Sequence, residues 1–153
     1  MATGRPAAYC VVPGPGLLNT TAALSTAYAC GAPVLALTGQ IPQRAIGRGY
    51  GLLHEIPDQL GVLRSLTKWA ERIRGPHEAR DKVDEAFRQL RSGRPRPVAL
   101  ECAIDVWGRR GPPAPAQVAP PTNPPPDASE LDRAADLLLA AKRPLIIVGG
   151  GAQ

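Results

Sequence analysis

The chain has 153 residues, enough for one domain of ordinary size, with 44% apolar but only 4% aromatic residues. A core is therefore expected from Ala, Val, Leu and Ile; no run of about 18 apolar residues occurs, so no membrane-spanning helix is expected. The net charge is +5; its basic residues concentrate between Arg64 and Arg96 with no aromatics interleaved in a stacking pattern, which favours a solvated helical face over nucleic-acid binding.

The N-terminal residues Met1–Pro6 carry one positive charge and no apolar stretch, unlike a secretory signal. Ala7–Val12 reads as a buried strand, stopped by Pro13-Gly-Pro-Gly16. Leu17–Cys30 reads as a helix of small residues, with Asn19 or Thr20 near its start, Gly31 as a left-handed cap and Pro33 beyond. Val34–Thr38 is apolar throughout, as in a strand covered on both faces. Gln40–Leu53 is loop-like and holds Gly47, Gly49 and Gly51.

Ile56–Leu66 is expected to be a short helix with Pro57 in its first turn, and Thr67–Ile73 a strand at the sheet edge. Pro76–Arg91 has the clearest helical pattern, with Ala79, Val83, Ala86, Phe87 and Leu90 at helical spacing. Val98–Ala103 is a further strand, with Glu101 polar within it. Residues Gly108–Pro126 are proline-rich and aperiodic, the composition of an extended linker. Asp127–Ala141 is a second clear helix, with Lys142 and Arg143 placed in its last turn. Pro144–Gly151 reads as a strand running into a glycine turn. Cys10, Cys30 and Cys102 have no zinc-ligand spacing and read as buried thiols of a reducing cytosol, hence a cytoplasmic protein.

Alternating strands and helices imply an α/β fold: a partial, doubly wound parallel sheet in three αβα layers. The expected divisions are residues 1–107, a linker at 108–126, and a helix and strand at 127–153 that open a second domain. Such a layout reads as an incomplete domain plus linker, a piece of a longer chain. In an open parallel sheet, ligands bind beyond the carboxyl ends of the strands. The glycines there, Gly14, Gly16 and Gly39, are expected to let a flat or phosphorylated ligand approach the backbone.

Taken in order, several motifs resemble the thiamine diphosphate-dependent enzymes of the acetohydroxyacid synthase and 2-oxo acid decarboxylase superfamily. They are Ala2-Thr-Gly-Arg-Pro6, Gly14-Pro-Gly-Leu-Leu-Asn19, Thr38-Gly-Gln-Ile-Pro42, Arg64-Ser-Leu-Thr-Lys-Trp69, Ser92-Gly-Arg-Pro-Arg-Pro-Val98 and Arg143-Pro-Leu-Ile-Ile-Val-Gly-Gly-Gly151. The resemblance implies the second half of the domain that binds the cofactor's aminopyrimidine, the linker, and the start of a central domain. It implies that the family's cofactor-activating glutamate precedes Met1 and that Mg2+ and the diphosphate are held by a domain outside this chain. The implied activity is decarboxylation of a 2-oxo acid followed by carboligation, most like acetolactate synthase. The alternatives are a 2-oxo acid decarboxylase or a non-catalytic fragment. The implied partners are a small 2-oxo acid and further subunits in a homodimer or homotetramer.

Residue by residue, Gly14, Pro15, Gly16 and Asn19 match the family's turn beside the pyrimidine; read alone, they form an ordinary strand-to-helix turn with Asn19 as cap. Gly39, Gln40 and Pro42 are expected in the next strand-end turn, which in related synthases lines the substrate entrance. His54 stands where the synthases carry a cofactor-contacting glutamine and pyruvate decarboxylases a histidine pair. Histidine can move protons near neutral pH; read alone, it is a surface or capping residue. Glu55 either orients His54 or occupies a helix's first turn. Arg94 matches an arginine that touches FAD in flavin-containing synthases, or else serves as charge at the end of the Pro76–Arg91 helix. FAD thus stays open, and Gly149-Gly-Gly151 is not a complete dinucleotide motif.

Overall fold

The computed structural model describes residues 5–111 and 124–149. The chain divides into two units, Met1–Pro121 and Thr122–Gln153. The first holds a four-stranded, all-parallel sheet of β1 (Ala7–Val11), β2 (Val34–Gln40), β3 (Trp69–Ile73) and β4 (Val98–Ala103), in the order β1-β2-β4-β3. Between the strands come α1 (Pro15–Leu18), α2 (Thr21–Ala29), a 3-10 turn at Gln43–Ala45, α3 (Gln59–Leu66) and α4 (Pro76–Arg91), and α5 (Ile104–Trp107) follows β4. The chain steps along the sheet from β1 to β2 to β3, then reverses to insert β4. Crossovers share one hand, so the reversed step places its helix on the opposite face.

The two faces differ in texture. On one, Leu35, Val98, Leu100 and Cys102 pack against Ala86 and Leu90 of α4, with Val83 and Phe87 alongside. On the other, Ala36, Ala99 and Ala70 lie in one rung across β2, β4 and β3. These small side chains let Leu17, Leu24, Leu60 and Leu63 of α1, α2 and α3 approach the sheet closely. Burying each such leucine fully is worth about 1.5–3 kcal/mol. Two residues further along the same face, the rung changes character: Val11, Thr38, Glu101 and Arg72 stand side by side. A polar row thus crosses the sheet just before the carboxyl ends of its central strands.

Lys68 secures the opposite end of the sheet. Its ammonium donates to the carbonyls of Gln89 (2.8 Å), Ser92 and Arg94 (3.2 Å), where the exposed carbonyls of α4 favour a cation. Nearby, the Arg96 guanidinium lies 4.1 Å from the centre of the Tyr28 ring and donates to its hydroxyl at 2.6 Å.

Several expectations need correction. The helix expected over Leu17–Cys30 is two helices, α1 and α2, with Asn19 closing the first and Thr20 opening the second. The Thr20 hydroxyl turns back onto the Leu17 carbonyl at 2.7 Å, a local bond that competes with helix continuation. Strand β2 runs on through Gly39 and Gln40, because both pair with β4; the turn falls at Ile41 and Pro42 instead. Helix α3 begins at Gln59, since the Asp58 carboxylate caps the Gly61 amide at 2.9 Å, leaving Pro57 outside.

Strand β1 lies at an edge, so Cys10 is exposed, as is Cys30; of the three thiols only Cys102 is buried. In the second unit, α6 (Ala128–Ala140) carries the Asp127 cap, with Asp127 accepting from the Ser129 amide. Lys142 and Arg143 lie beyond its last turn, and residues 144–149 form no strand. Gly150, Gly151, most of the proline-rich segment and Ala2–Gly4 lie outside the described residues.

Candidate functional site

The carboxyl ends of β1 and β2 open into a cleft of about 490 Å³. Val12, Pro13, Gln40, Ile41, His54 and Trp107 line it, with Cys10 at its wall. The lining is mostly apolar, and its rim is more so: Val12 (55% exposed), Leu53 (84%) and Trp107 (57%) face outward around it. A concave apolar site at strand ends with a few convergent polar groups is the usual form of a small-molecule site.

His54 enters the cleft from an unusual backbone. It is the one non-glycine residue among those described with positive φ, at 72°, a conformation that costs a residue with a Cβ about 1–2 kcal/mol. The preceding loop is shaped to deliver it. Gly47, Gly49 and Gly51 all have positive φ, and the Glu55 carboxylate accepts from the amides of Gly49 (3.1 Å) and Leu52 (2.9 Å). The Glu55 amide in turn donates to the Leu52 carbonyl at 2.9 Å, closing the turn that holds His54. Glu55 thus grips the loop backbone on either side of Tyr50. A second cleft, of about 470 Å³, lies against this loop at Arg48, Glu55 and Pro57. It is displaced from the strand ends that mark the first cleft as the candidate ligand site.

Gly39 lines the cleft, and the space that a Cβ would take at the strand-end glycines is filled by protein. A Cβ on Gly14 would lie 2.5 Å from the His54 carbonyl oxygen, and one on Gly39 would lie 2.9 Å from Cδ of Pro13. The space freed at Gly14 is filled by the His54 backbone, and that at Gly39 by the proline ring, so the close approach is between protein segments. Gly16 likewise leaves room for the Val12 side chain. Pro15 and Asn19 are exposed on α1, outside the cleft wall, and the Asn19 amide donates to the Pro15 carbonyl at 3.0 Å.

Beneath the cleft floor lies a buried polar network absent from the sequence reading. Glu101 (0% exposed) accepts from Arg72 at 2.5 Å, from Gln59 at 3.0 Å and from Gln40 at 3.3 Å. Gln59 also donates to the Gly39 carbonyl at 2.8 Å and accepts from the Gly14 amide at 2.9 Å. Gln40 accepts from the Ile41 amide at 2.7 Å. These partners lie 42 and 45 residues apart in the chain for Gln59, so no local pattern announces them; Glu101 in an apolar strand was the one visible sign.

Arg94 is not part of this site. It precedes β4, at the amino-terminal end of the sheet, with its carbonyl bonded to Lys68. Burial pushes the Cys102 thiol above its ordinary value, with the Asp105 charge adding to the effect. Among the described residues no group of three or more His, Cys, Asp or Glu side chains could hold a metal ion, and no helix is long and apolar enough to cross a membrane.

Residues 1–62 match the family described as thiamine pyrophosphate enzyme, N-terminal TPP binding domain. The chain is 32% identical over 158 residues to a probable 2-ketoarginine decarboxylase of Pseudomonas aeruginosa, covering 98% of this chain and 27% of that protein. It is 33% identical over 162 residues to the mitochondrial acetolactate synthase catalytic subunit of Saccharomyces cerevisiae, covering 98% and 23%. A probable acetolactate synthase large subunit of Methanocaldococcus jannaschii is 36% identical over 145 residues, covering 90% and 24%. In three dimensions the chain resembles benzoylformate decarboxylase from Polynucleobacter necessarius, with a TM-score of 0.79 over 94% of this chain and 27% of that one, at 22% identity. The chain spans about a quarter of the length of the curated relatives it matches.

Proposed function

The chain belongs to the thiamine diphosphate-dependent enzyme superfamily, and from that premise we infer that the protein acts on a small 2-oxo acid in the manner of an acetolactate synthase. The observation that carries this reading is the cleft at the ends of β1 and β2, apolar on its walls and supplied with one imidazole. Its chemistry suits the flat aminopyrimidine end of the cofactor: Val12, Ile41 and Trp107 offer faces for a ring, and His54 a polar edge. Among the described residues no group of three or more His, Cys, Asp or Glu side chains could hold the Mg2+, and this reading assigns the metal and the diphosphate to another domain of the protein.

Thiamine diphosphate, when bound, supplies a nucleophilic carbon and an electron sink for decarboxylating a 2-oxo acid. The residues of this chain do three things around it. The Gly14 turn and β2 fix the width of the cleft. The apolar rim excludes water, which strengthens polar contacts inside. His54 holds or delivers a proton at its imidazole nitrogen.

Glu55 supports that role by gripping the loop backbone that presents His54. Residues 1–107 act as the pyrimidine-binding part and residues 127–153 as the start of a central domain. The exposed rim of Val12, Leu53, Ile104 and Trp107 supports closure of the cleft by a second subunit, in a dimer or tetramer. The free thiols support a reducing, cytoplasmic setting. FAD enters this reading only through Arg94, which lies at the amino-terminal end of the sheet and would hold a flavin apart from the cleft.

Consumption of pyruvate and of a panel of 2-oxo acids by the full-length gene product, with and without thiamine diphosphate and Mg2+, tests the proposal. Strictly cofactor-dependent turnover is expected; turnover without cofactor, or none on any 2-oxo acid, overturns it. His54 in the cleft favours a second reading, a simple decarboxylase, in which the product is an aldehyde with no carbon–carbon bond formed.

A further inference from the structure

Gln59 has no role in the reading above, yet it is 1% exposed and makes hydrogen bonds to three separate strand ends. Its carbonyl oxygen accepts from Gly14 after β1. Its amide nitrogen donates to Gly39 of β2 and to the Glu101 carboxylate of β4. A primary amide has two donor hydrogens, and both are used here. The partners also dictate which way the group faces. Gly14 offers a donor and so needs the oxygen; Gly39 and Glu101 offer acceptors and so need the nitrogen. Turned over, the amide would set its oxygen against a carboxylate and a carbonyl and its nitrogen against an N–H, losing all three bonds.

Glu101 is itself held by Arg72 of β3 at 2.5 Å. The buried ion pair therefore fixes the amide of Gln59, and the amide fixes the Gly14 turn. Because a Cβ at Gly14 would fall 2.5 Å from the His54 carbonyl oxygen, the position of that turn decides where the His54 backbone can lie. We propose that Gln59 is a positioning residue: clamped by the Arg72–Glu101 pair, it sets the spacing between the Gly14 turn, Gly39 and His54, and through them the affinity of the cleft for the aminopyrimidine end of thiamine diphosphate. The ligand in this proposal rests on the functional reading above; the clamp on Gly14 does not.

The test compares the full-length gene product with its Gln59→Met variant, which keeps the side chain's length and removes all three hydrogen bonds. Leu63→Ala serves as a destabilising control on the same helix, since Leu63 is fully buried in the apolar core and its side chain makes none of these hydrogen bonds. Two quantities are read. Hydrogen exchange without cofactor reports the protection of the Gly14 amide, and titration calorimetry with thiamine diphosphate and Mg2+ reports affinity.

In Gln59→Met, Gly14 exchange accelerates at least tenfold and cofactor affinity falls at least tenfold. Leu63→Ala changes neither Gly14 protection nor cofactor affinity in its folded state. Unchanged Gly14 exchange in Gln59→Met overturns the proposal, as does an equal loss of affinity in Leu63→Ala. If Gln59→Met does not fold, Gln59→Glu is used. It keeps the acceptor for Gly14 but opposes Glu101 with like charge, and unaltered affinity there overturns the proposal too. If the unsubstituted protein binds no thiamine diphosphate, the functional reading falls, and exchange at Gly14 still decides whether Gln59 clamps the turn.

Discussion

Arg72 and Glu101 face each other on neighbouring strands at 2.5 Å, with Glu101 wholly buried and the Arg72 side chain 20% exposed. Removing one partner of such a pair leaves the other charge uncompensated, at a cost of about 3–5 kcal/mol. Arg72→Ala is therefore expected to destabilise the chain by that amount in urea unfolding. Arg72→Met combined with Glu101→Gln, which removes both charges, should recover most of the loss. A double variant no more stable than Arg72→Ala would show that the loss comes from packing.

Gly14 and His54 both have positive φ, and the expected effects of changing them have opposite signs. Gly14→Ala puts a Cβ into the His54 carbonyl and strains a φ of 58°; the backbone strain alone costs about 1–3 kcal/mol. His54→Gly relieves its own strained conformation and should leave stability unchanged or raise it by up to about 1 kcal/mol, while removing the proton-handling group. Thermal unfolding of the two variants, set beside turnover of the full-length gene product, separates these contributions. A stabilised Gly14→Ala would contradict the observed contact.

The thiols should divide by position. Cys10 and Cys30 are exposed and Cys102 is buried, with its thiol pushed up by burial and then by Asp105. Thiolate is the reactive form, so a native chain treated with a disulfide reagent at pH 8 should release colour rapidly from two thiols, and from the third only after denaturant is added. Peptide mapping should find Cys102 unlabelled. Because Cys10 lies on the wall of the cleft, saturating thiamine diphosphate should slow its labelling in the full-length gene product and leave Cys30 unaffected.

Glu71 on β3 supplies a pH test. Burial pushes its carboxyl up, but the hydrogen bond and charge of Lys82, joined by Arg64 and Arg74, outweigh this and hold it below the ordinary carboxylate value. A carboxyl depressed in the folded state binds fewer protons there than in the unfolded chain, so its contribution is complete at neutral pH and disappears as pH falls through the folded value. The stability difference between the unsubstituted chain and Glu71→Gln should be about 1 kcal/mol or less at neutral pH, shrink as the pH falls below the ordinary carboxylate range, and vanish once it lies below the folded value. A difference that grows on acidification would reverse the sign and refute the assignment.

The parts of the fold that could be read in advance are those in which neighbours along the chain decide the outcome. Helix α4 follows from the spacing of Ala79, Val83, Ala86, Phe87 and Leu90, and β4 from an apolar run between Pro97 and the next turn. The break at Asn19 and Thr20 has no glycine or proline to mark it; it depends on a side-chain bond to Leu17. The extension of β2 through Gly39 and Gln40 depends on a partner strand some sixty residues later. Within the site, the strand-end turns and His54 could be located from the sequence. The clamp of Gln59, Glu101 and Arg72 could not: Glu101 is odd in an apolar strand, but its partners are ordinary where they stand and acquire meaning only when β1, β2, β4 and β3 lie side by side.

The rung of Ala36, Ala99 and Ala70 has a consequence for how this sequence can drift. On the α4 face, leucine, valine and isoleucine can replace one another at roughly constant volume, usually at a cost below about 1.5 kcal/mol. On the alanine face there is no smaller apolar side chain with a Cβ to exchange for, and any larger one pushes the overlying helices away from the sheet. Such a shift would carry Gln59 with α3 and pull its amide off Gly14. Substitutions at these three alanines should therefore be purged through lost ligand affinity before lost folding, although none of the three touches the cleft.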